Sequence, residues 1–398
     1  MLRLGRIHAS YTLQVARRRL FSGTTYIRQG SDHATPGSSN SHVVPESERE
    51  WNPFNKPARD QPSQQANAVR KRLSSGREHP IEILRDLLKE DDVRIDALSL
   101  PLQTMHQRFV DLDRDERRRE IQARPIAVEA LHFLLHRKDL WPIFANEAHA
   151  AQSALCTYAV VEGHDHFIKD WILAETTDPT GGHRKRHVWR GHLFRNLTEA
   201  YLVDGPKQSA DQALTFFLDI HRQHQAANDV SQHARRRGPS PALTSMPIFP
   251  TAILVSQKLW LRRHPNTSSE LYDAFAQVWR IAAKKRSTRF FVDFGTANFA
   301  LAHPTRPSVQ PALEFIEQHF NNSKDHDRFI ARSLTVCDER ISIQVFFSRL
   351  YVALYKGDRE AEAQRILDKQ NELYGTTVPE GIRIRRLDSK GPDARYFK

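Results

Sequence analysis

Apolar residues recur at three- and four-residue intervals along most of the chain, from about His79 onward. A representative set is Ile81, Leu84, Leu87 and Leu88; two others are Ile126, Ala130, Phe133 and Leu134, and Phe346, Leu350, Ala353 and Leu354. This spacing places the apolar side chains on one face of an α-helix. The alternating pattern of a β-strand is plausible only in the short stretch RFFVDF, residues 289–294. The sequence therefore predicts an all-α fold.

Turn-forming pairs divide this helical pattern at intervals of about 40 to 60 residues. The pairs are Glu162-Gly163, Asp204-Gly205, His264-Pro265, His303-Pro304 and Gly357-Asp358. The longest interval contains the polar, proline-rich stretch 228–247, which is typical of a loop. Helical hairpins that repeat in this way predict an α-solenoid, in which each hairpin buries its apolar face against its neighbours. The alternative is an irregular helical domain with no true repeat.

The first residues have the composition of a mitochondrial presequence. Residues 1–31 contain no acidic residue, and arginines alternate with apolar residues as far as Arg28. An Arg-rich, acid-poor, amphipathic start is typical of a targeting segment. The stretch RRLFS, residues 18–22, is similar to a matrix-peptidase site with cleavage near Phe21. We therefore expect residues 1–21 to be a presequence and the protein to reach the mitochondrial matrix, the alternative being a merely disordered basic tail.

The rest of the chain divides by composition into three parts. Residues 22–78 are rich in Ser, Pro, Asn and Gln, and such a segment cannot bury enough apolar surface to fold, so it is predicted to be a disordered linker. Residues 79–375 form the predicted helical-repeat domain, and residues 376–398 a C-terminal tail. No apolar run approaches the roughly 18 residues that a membrane span needs.

One predicted hairpin carries a family resemblance. The stretch LFRNLTEAYLVDG, residues 193–205, resembles the first helix of a pentatricopeptide repeat, with Phe194, Leu197, Ala200-Tyr201 and Gly205 at the family's typical positions. The segments 346–370 and 151–172 match fewer of these positions. The chain thus resembles mitochondrial helical-repeat proteins of the pentatricopeptide kind, probably of fungal type, and also the similar tetratricopeptide repeats, which usually bind proteins. The resemblance implies a solenoid in which Phe194, Leu197 and Tyr201 pack against the second helix.

The same resemblance implies where RNA would bind. In pentatricopeptide repeats, the residue two positions beyond the aromatic faces the concave surface and reads a base; that residue here is Asn196. The matching position in the C-terminal candidate repeat is Ser348. An amide side chain can both donate a hydrogen bond to a base edge and accept one from it.

Positive charge is concentrated in the middle of the chain. The whole sequence has a net charge of +12, and residues 180–290 contain 18 Lys and Arg against 7 Asp and Glu. The predicted RNA-binding residues in this region are Arg184, Lys185, Arg186, Arg235, Arg236, Arg237, Lys284, Lys285, Arg286 and Arg289. A further basic cluster lies at residues 262–264, and aromatic rings at Trp189, Trp260, Trp279 and Phe290 accompany the clusters. Basic clusters beside rings suit single-stranded RNA, because phosphates need counter-charge and bases stack on rings. By contrast, the mixed-charge stretch 111–120 predicts a solvated helix face.

The sequence contains no motif that predicts catalysis. His132 and His136 have the i,i+4 spacing of metal ligands, but the zinc-peptidase motif HExxH is absent, and no third ligand accompanies His164 and His166. There is no phosphate-binding glycine loop and no nucleophile elbow. The sequence therefore predicts neither a catalytic residue, a metal site nor a cofactor, and we expect a binding protein rather than an enzyme.

The leading hypothesis is a mitochondrial solenoid that binds organellar RNA or the mitochondrial ribosome and acts in transcript stability, processing or translation. The alternative is a protein-binding scaffold or assembly factor for a respiratory complex or the mitochondrial ribosome, so other mitochondrial proteins are further candidate partners. An enzyme that uses the histidines is the third hypothesis. Cationic side chains lining the inner face favour RNA, whereas an apolar inner face favours a peptide.

Overall fold

The computed structural model describes residues 62–137, 140–173, 188–206, 209–234, 246–261, 264–286, 289–320 and 337–374. Within these ranges the chain forms sixteen helices and no strand, so the all-α prediction is confirmed. The helices are α1 Gln64–Ser75, α2 Pro80–Leu87, α3 Ile95–Asp111, α4 Arg114–Ala123, α5 Ala127–His136, α6 Trp141–Glu147, α7 His149–Glu162, α8 Asp165–Leu173, α9 Val188–Asp204, α10 Asp211–Ala234, α11 Phe249–Leu261, α12 Ser269–Arg286, α13 Arg289–Ala302, α14 Gln310–Phe320, α15 Cys337–Lys356 and α16 Glu360–Tyr374. None of them combines the length and the apolarity that a membrane crossing needs.

All five predicted turns lie between helices. They join α7 to α8, α9 to α10, α11 to α12, α13 to α14, and α15 to α16. At the first turn, Gly163 ends α7 with a φ of 81°, a left-handed backbone that glycine adopts without strain. The second half of the described chain is thus a succession of five helical pairs.

Helix α3 and the first helices of these five pairs contact one another in chain order, and we call this series of helices the first row. Helix α3 packs on α7, α7 on α9, α9 on α11, α11 on α13, and α13 on α15. Each first helix of a pair also contacts its own second helix, and α10 packs on α12 in the row of second helices. Most of the packing therefore joins neighbours along the chain.

Contacts across the first helices lie at matching positions along them. The contacts are His149 with His192, Gly191 with Pro247, Trp260 with Phe299, and Phe294 with Phe346. Because residues near the starts meet each other and residues near the ends meet each other, these first helices run in the same direction. The starts of α7, α9, α11 and α13 consequently lie at one edge of the row.

The α9–α10 pair packs as the sequence predicts. Phe194 and Tyr201 of α9 are buried and contact Phe216 of α10, with ring centroids 5.4 Å apart in both cases. Leu197 is also buried. The apolar stripe of α9 is therefore core, and burying each large side chain contributes roughly 1.5–3 kcal/mol to folding.

Three local predictions were wrong. Helix α1 lies inside the predicted linker, because Ser63 caps it and Ala66 and Val69 are buried. The stretch 289–294 is the start of helix α13 rather than a strand, and its phenylalanines contact aromatic rings of α12, α14 and α15. Helix α10 continues to Ala234, so the first part of the predicted loop 228–247 is helical.

The mixed-charge stretch 111–120 is mostly exposed or partly exposed, as predicted for a solvated face, except at Arg117. Arg117 of α4 is buried, and its Nε lies 2.8 Å from Asp204 Oδ1 at the end of α9. Arg117 also donates to the carbonyl oxygen of Phe109, and Arg118 donates to that of Asp204. Burial raises the pKa of Asp204, although the Arg117 charge and hydrogen bond oppose that shift. This buried ion pair holds α4 against the end of α9, which the sequence pattern alone does not reveal.

Candidate nucleic-acid interface

Helix α9 carries a polar face beside its apolar one. His192, Arg195, Asn196 and Glu199 follow one another at helical spacing, so their side chains share one side of the helix. All four are only partly buried, in contrast to the fully buried Phe194 between them. These four side chains therefore reach solvent in part on this face of α9.

Side chains from three other first-row helices join this face. We call the resulting surface the polar strip; it consists of His106 of α3, His149 of α7, His192, Arg195, Asn196 and Glu199 of α9, and Lys258 of α11. The rings of His149 and His192 have centroids 4.1 Å apart. The strip thus crosses four consecutive helices of the first row.

Glu199 and Lys258 form the ion pair of the strip. Lys258 Nζ lies 2.8 Å from Glu199 Oε1, and the two side chains are 24% and 19% exposed. Burial alone would raise the pKa of Glu199, but the charge and hydrogen bond of Lys258, with smaller contributions from Arg195 and His106, lower it. Glu199 is therefore ionised at neutral pH and is committed to Lys258.

The histidines of the strip are held neutral. Desolvation lowers the pKa of His106, His149 and His192, and that of His192 falls to about 4. The charge of Arg195 lowers the pKa of His149 further, and His149 and then Arg195 lower the pKa of His192 further. A neutral imidazole has one hydrogen-bond donor and one acceptor, so these rings can read polar groups as well as stack on planar ones.

Arg195 is the uncommitted cation of the strip. It is half-buried, and within the described part of the chain its guanidinium makes no hydrogen bond and has no carboxylate at ion-pair distance. A partly desolvated cation without a hydrogen-bonded partner is costly, because it gives up water and gains only the more distant charge of Glu199. Arg195 therefore lies where an external anion would be stabilised.

Asn196, the predicted base-reading residue, lies within the strip at the contact between α7 and α9. Its Nδ2 donates to Gln152 Oε1 at 3.4 Å, and Gln152 in turn donates to the carbonyl oxygens of Phe144 and Ala145. Within the described residues, the carbonyl oxygen of Asn196 has no donor. The amide is held in place on one side and keeps an acceptor for a ligand on the other.

Of the other predicted RNA-binding residues, the structure describes the side chains of only Lys284 and Arg289, and neither is part of the strip. Arg184, Lys185, Arg186, Arg235, Arg236 and Arg237 lie outside the described residues, as do the side chains of Lys285 and Arg286 in α12. Lys284 is exposed at the end of α12. Arg289 is exposed at the start of α13, with Nε 3.5 Å from Asp293 Oδ2.

The helices that these clusters adjoin nevertheless share an edge. Residues 184–186 come just before α9, residues 235–237 follow α10 and come before α11, and residues 284–289 span the end of α12 and the start of α13. Because α9, α11 and α13 run in the same direction, their starts lie at the same edge of the first row. In the sequence, these three basic clusters therefore adjoin helix ends at the edge where α9, α11 and α13 begin. The cluster at 262–264 instead follows the end of α11, which lies at the opposite edge.

The aromatic rings expected beside the clusters have different roles. Trp260 and Trp279 are 6% and 0% exposed and belong to the core, so the prediction that these two rings stack on bases was wrong. Trp189, in contrast, is partly buried and meets Trp141, which also contacts Trp171 at 4.2 Å between ring centroids. These three tryptophans cover the junction of α6, α8 and α9.

His132 and His136, which have the spacing of metal ligands, are joined by a hydrogen bond within their own helix. His136 Nδ1 lies 2.8 Å from the carbonyl oxygen of His132, and both side chains are exposed on α5. No group of three or more potential metal ligands occurs among the residues that the structure describes. The rings of His164 and His166 contact each other at the start of α8, with centroids 6.3 Å apart.

Comparison with known protein families, with curated proteins and with solved structures finds no match to this chain.

Sequence reasoning missed most of the polar strip. Of its members, only Asn196 was singled out, because the family pattern pointed to that position. No sequence motif marks His149, His192 and Arg195 as site residues. They can be recognised as neighbours only once the contact between α7 and α9 is known. The detectable sign was the helical spacing of polar residues beside the apolar stripe of α9.

Proposed function

We propose that this chain is a mitochondrial RNA-binding protein of the pentatricopeptide-like kind and that it acts in organellar gene expression. Its helical pairs would stack into an α-solenoid, with the first helices forming the binding face. The protein would act as a binding protein and not as an enzyme. The observation that carries the proposal is the polar strip, which crosses four first-row helices.

The chemistry of the strip favours RNA over a peptide segment. An apolar peptide would need an apolar groove, whereas the strip exposes a free guanidinium, an amide and neutral imidazoles. Single-stranded RNA offers phosphates for Arg195, base edges for Asn196, and planar bases for the histidine rings. The high positive charge of residues 180–290 would add long-range attraction for a polyanion.

The stacking of the pairs supports the proposed architecture. Parallel first helices with like-for-like contacts are the arrangement that a helical-repeat array requires, since each hairpin buries its apolar face on the next. The turns that end at Gly163, Gly205 and Gly357 fit the repeat positions at which the family has glycine. The proposed mitochondrial localisation rests on residues 1–31 alone.

A salt titration of RNA binding tests the function. We would measure the affinity of the full chain for a short single-stranded oligouridylate at several salt concentrations, with wild type and Arg195→Ala. The expected result is weaker binding by Arg195→Ala and a slope of log K against log salt that is smaller by about 0.7, the value for one lost single-strand phosphate contact.

Arg222→Ala is the matched control. Arg222 lies on α10, the second helix of the same pair, with a side chain that is 74% exposed. Its removal takes away the same charge but should leave the salt slope unchanged. If Arg195→Ala and Arg222→Ala change the RNA affinity and the salt slope equally, RNA is attracted by the overall positive charge and not bound at the strip. A chain that binds no RNA, but retains a mitochondrial protein in a pull-down, would favour the scaffold hypothesis.

A further inference from the structure

His149 and His192 form a pair of contacting rings near Arg195, and their accessibility is the starting point for a ligand site. His149 and His192 make a ring contact across α7 and α9, yet His149 is exposed and His192 is only half-buried. Both rings can therefore be reached from solvent. Arg195 lies one helical turn from His192 on the same face of α9.

We propose that Arg195, His149 and His192 form a phosphate-binding site. The ligand class is a phosphate group carried by a nucleotide chain or present as the free ion. This inference deepens the proposed function and rests on it for the source of the phosphate, because an RNA backbone would supply the group at this point of the strip.

The first argument for the site is the distribution of charge. Among the described residues, Arg195 is the charged side chain that lowers the pKa of both rings. Further along the strip, Lys258, Arg195 and His106 lower the pKa of Glu199. Glu199 is the carboxylate among them, and Lys258 neutralises it at 2.8 Å. Arg195 is thus left as the net positive charge beside two imidazoles.

The second argument is geometric. A guanidinium presents its donors in a planar fork that matches two oxygens of a phosphate, and each imidazole can add one donor. The ring centroids of His149 and His192 are 4.1 Å apart, so one tetrahedral oxyanion can reach both rings. Without an anion, Arg195 opposes protonation of both rings, and His149 also opposes protonation of His192.

Anion binding would reverse this opposition. A bound phosphate compensates the charge of a protonated imidazole, so binding should be accompanied by proton uptake. Affinity should rise on acidification by up to about tenfold per pH unit for each proton taken up. His132 and His136 provide a matched control, because their centroids are also 4.1 Å apart but the pair is exposed on α5 and no arginine of the strip is beside it.

The experiment measures binding and histidine reactivity together on the full chain. Diethyl pyrocarbonate acylates neutral imidazoles, and peptide mass spectrometry reports the rate at each histidine. The probes are a short oligouridylate with a free 5′-hydroxyl, inorganic phosphate, and chloride at the same ionic strength. The variants are Arg195→Ala, the double variant His149→Asn with His192→Asn, and the double variant His132→Asn with His136→Asn.

We expect oligouridylate to protect His149 and His192 but not His132 and His136. Arg195→Ala should remove this protection and weaken binding at least about tenfold, the usual loss for a charge-assisted hydrogen bond. The His149 and His192 double variant should lose most of the gain in affinity between about pH 8 and pH 6, and the His132 and His136 double variant should keep it.

The other outcomes separate the site from the function. If RNA binds with unchanged reactivity at His149 and His192, the phosphate site is wrong and the RNA function stands. If RNA does not bind but inorganic phosphate protects the pair more than chloride does, the site stands and the RNA function fails. If neither probe protects the pair and RNA does not bind, both proposals are overturned.

Discussion

Replacing Gly295 with alanine should destabilise the contact between α12 and α13. Gly295 lies in α13 directly against the indole of Trp279 in α12. A Cβ atom added there would lie 1.8 Å from Cη2, 2.4 Å from Cζ3 and 2.6 Å from Cζ2 of that ring. The indole is 0% exposed and packs against Trp260 and Phe299, so it has little room to move.

Two opposing effects set the size of the loss. Alanine is favoured over glycine in a helix interior by about 1 kcal/mol. Overpacking a well-packed core costs typically about 1–3 kcal/mol, occasionally more, and an approach of 1.8 Å belongs at or beyond the upper end. We therefore expect the free energy of unfolding to fall by about 2 kcal/mol after the helix gain is subtracted.

The assay is urea unfolding followed by far-ultraviolet circular dichroism, with Gly357→Ala as the matched control. A Cβ at Gly357 would come no closer than 3.4 Å to the carbonyl oxygen of Ala353, which is ordinary contact. That substitution should change stability by less than about 0.5 kcal/mol. Adding Trp279→Phe to Gly295→Ala should cost less than the sum of the two single variants, because the smaller ring leaves room for the methyl group.

A Gly295→Ala variant as stable as the wild type, or more stable, would contradict this prediction. Such a result would show that helix propensity dominates at this position and that α12 and α13 do not approach each other as closely as the structure has them.

Three further predictions concern stability and address. Asp204→Ala should lower the free energy of unfolding by about 3 kcal/mol or more in urea unfolding, because it leaves the buried Arg117 without its counter-charge; Asp204→Asn should be milder if hydrogen bonding matters more than charge. The free energy of unfolding should fall as the pH is lowered from about 6.5, the ordinary histidine pKa, to about 4, the pKa of His192, because the unfolded chain binds more protons than the folded chain in that window. His192→Gln should make this fall shallower in unfolding curves measured at several pH values. An unchanged dependence on pH would show that His192 does not contribute to it. Replacing residues 17–19 with glutamate should keep the chain out of mitochondria in a fractionation experiment, and undisturbed import would refute the presequence prediction.

Local sequence rules predicted the helical pairs well because their signals are local. The turn at Gly163 ends a helix in the left-handed backbone that glycine favours, and the apolar stripe of Phe194 and Tyr201 needs only helical spacing to be recognised. Helix α1 was missed within the predicted linker, because its polar composition hides two buried positions, Ala66 and Val69.

The parts that failed depend on contacts between distant segments. Residues 289–294 were the one stretch with a plausible strand pattern, yet they form a helix whose phenylalanines contact rings of three other helices. Arg117 is buried only because Asp204 comes to it from another helix. The polar strip has the same origin, since His149 and His192 become a pair only when α7 packs on α9.

The central claim is that RNA binds along the polar strip. Ultraviolet crosslinking of RNA to the protein in purified mitochondria tests it most directly, with sequencing of the bound RNA and mass spectrometry of the crosslinked peptides. The account predicts that organellar RNA is recovered and that adducts map to the segments of α7 and α9 that carry His149, His192 and Asn196. Recovery of protein partners without RNA, or adducts that leave both helices untouched, would contradict it.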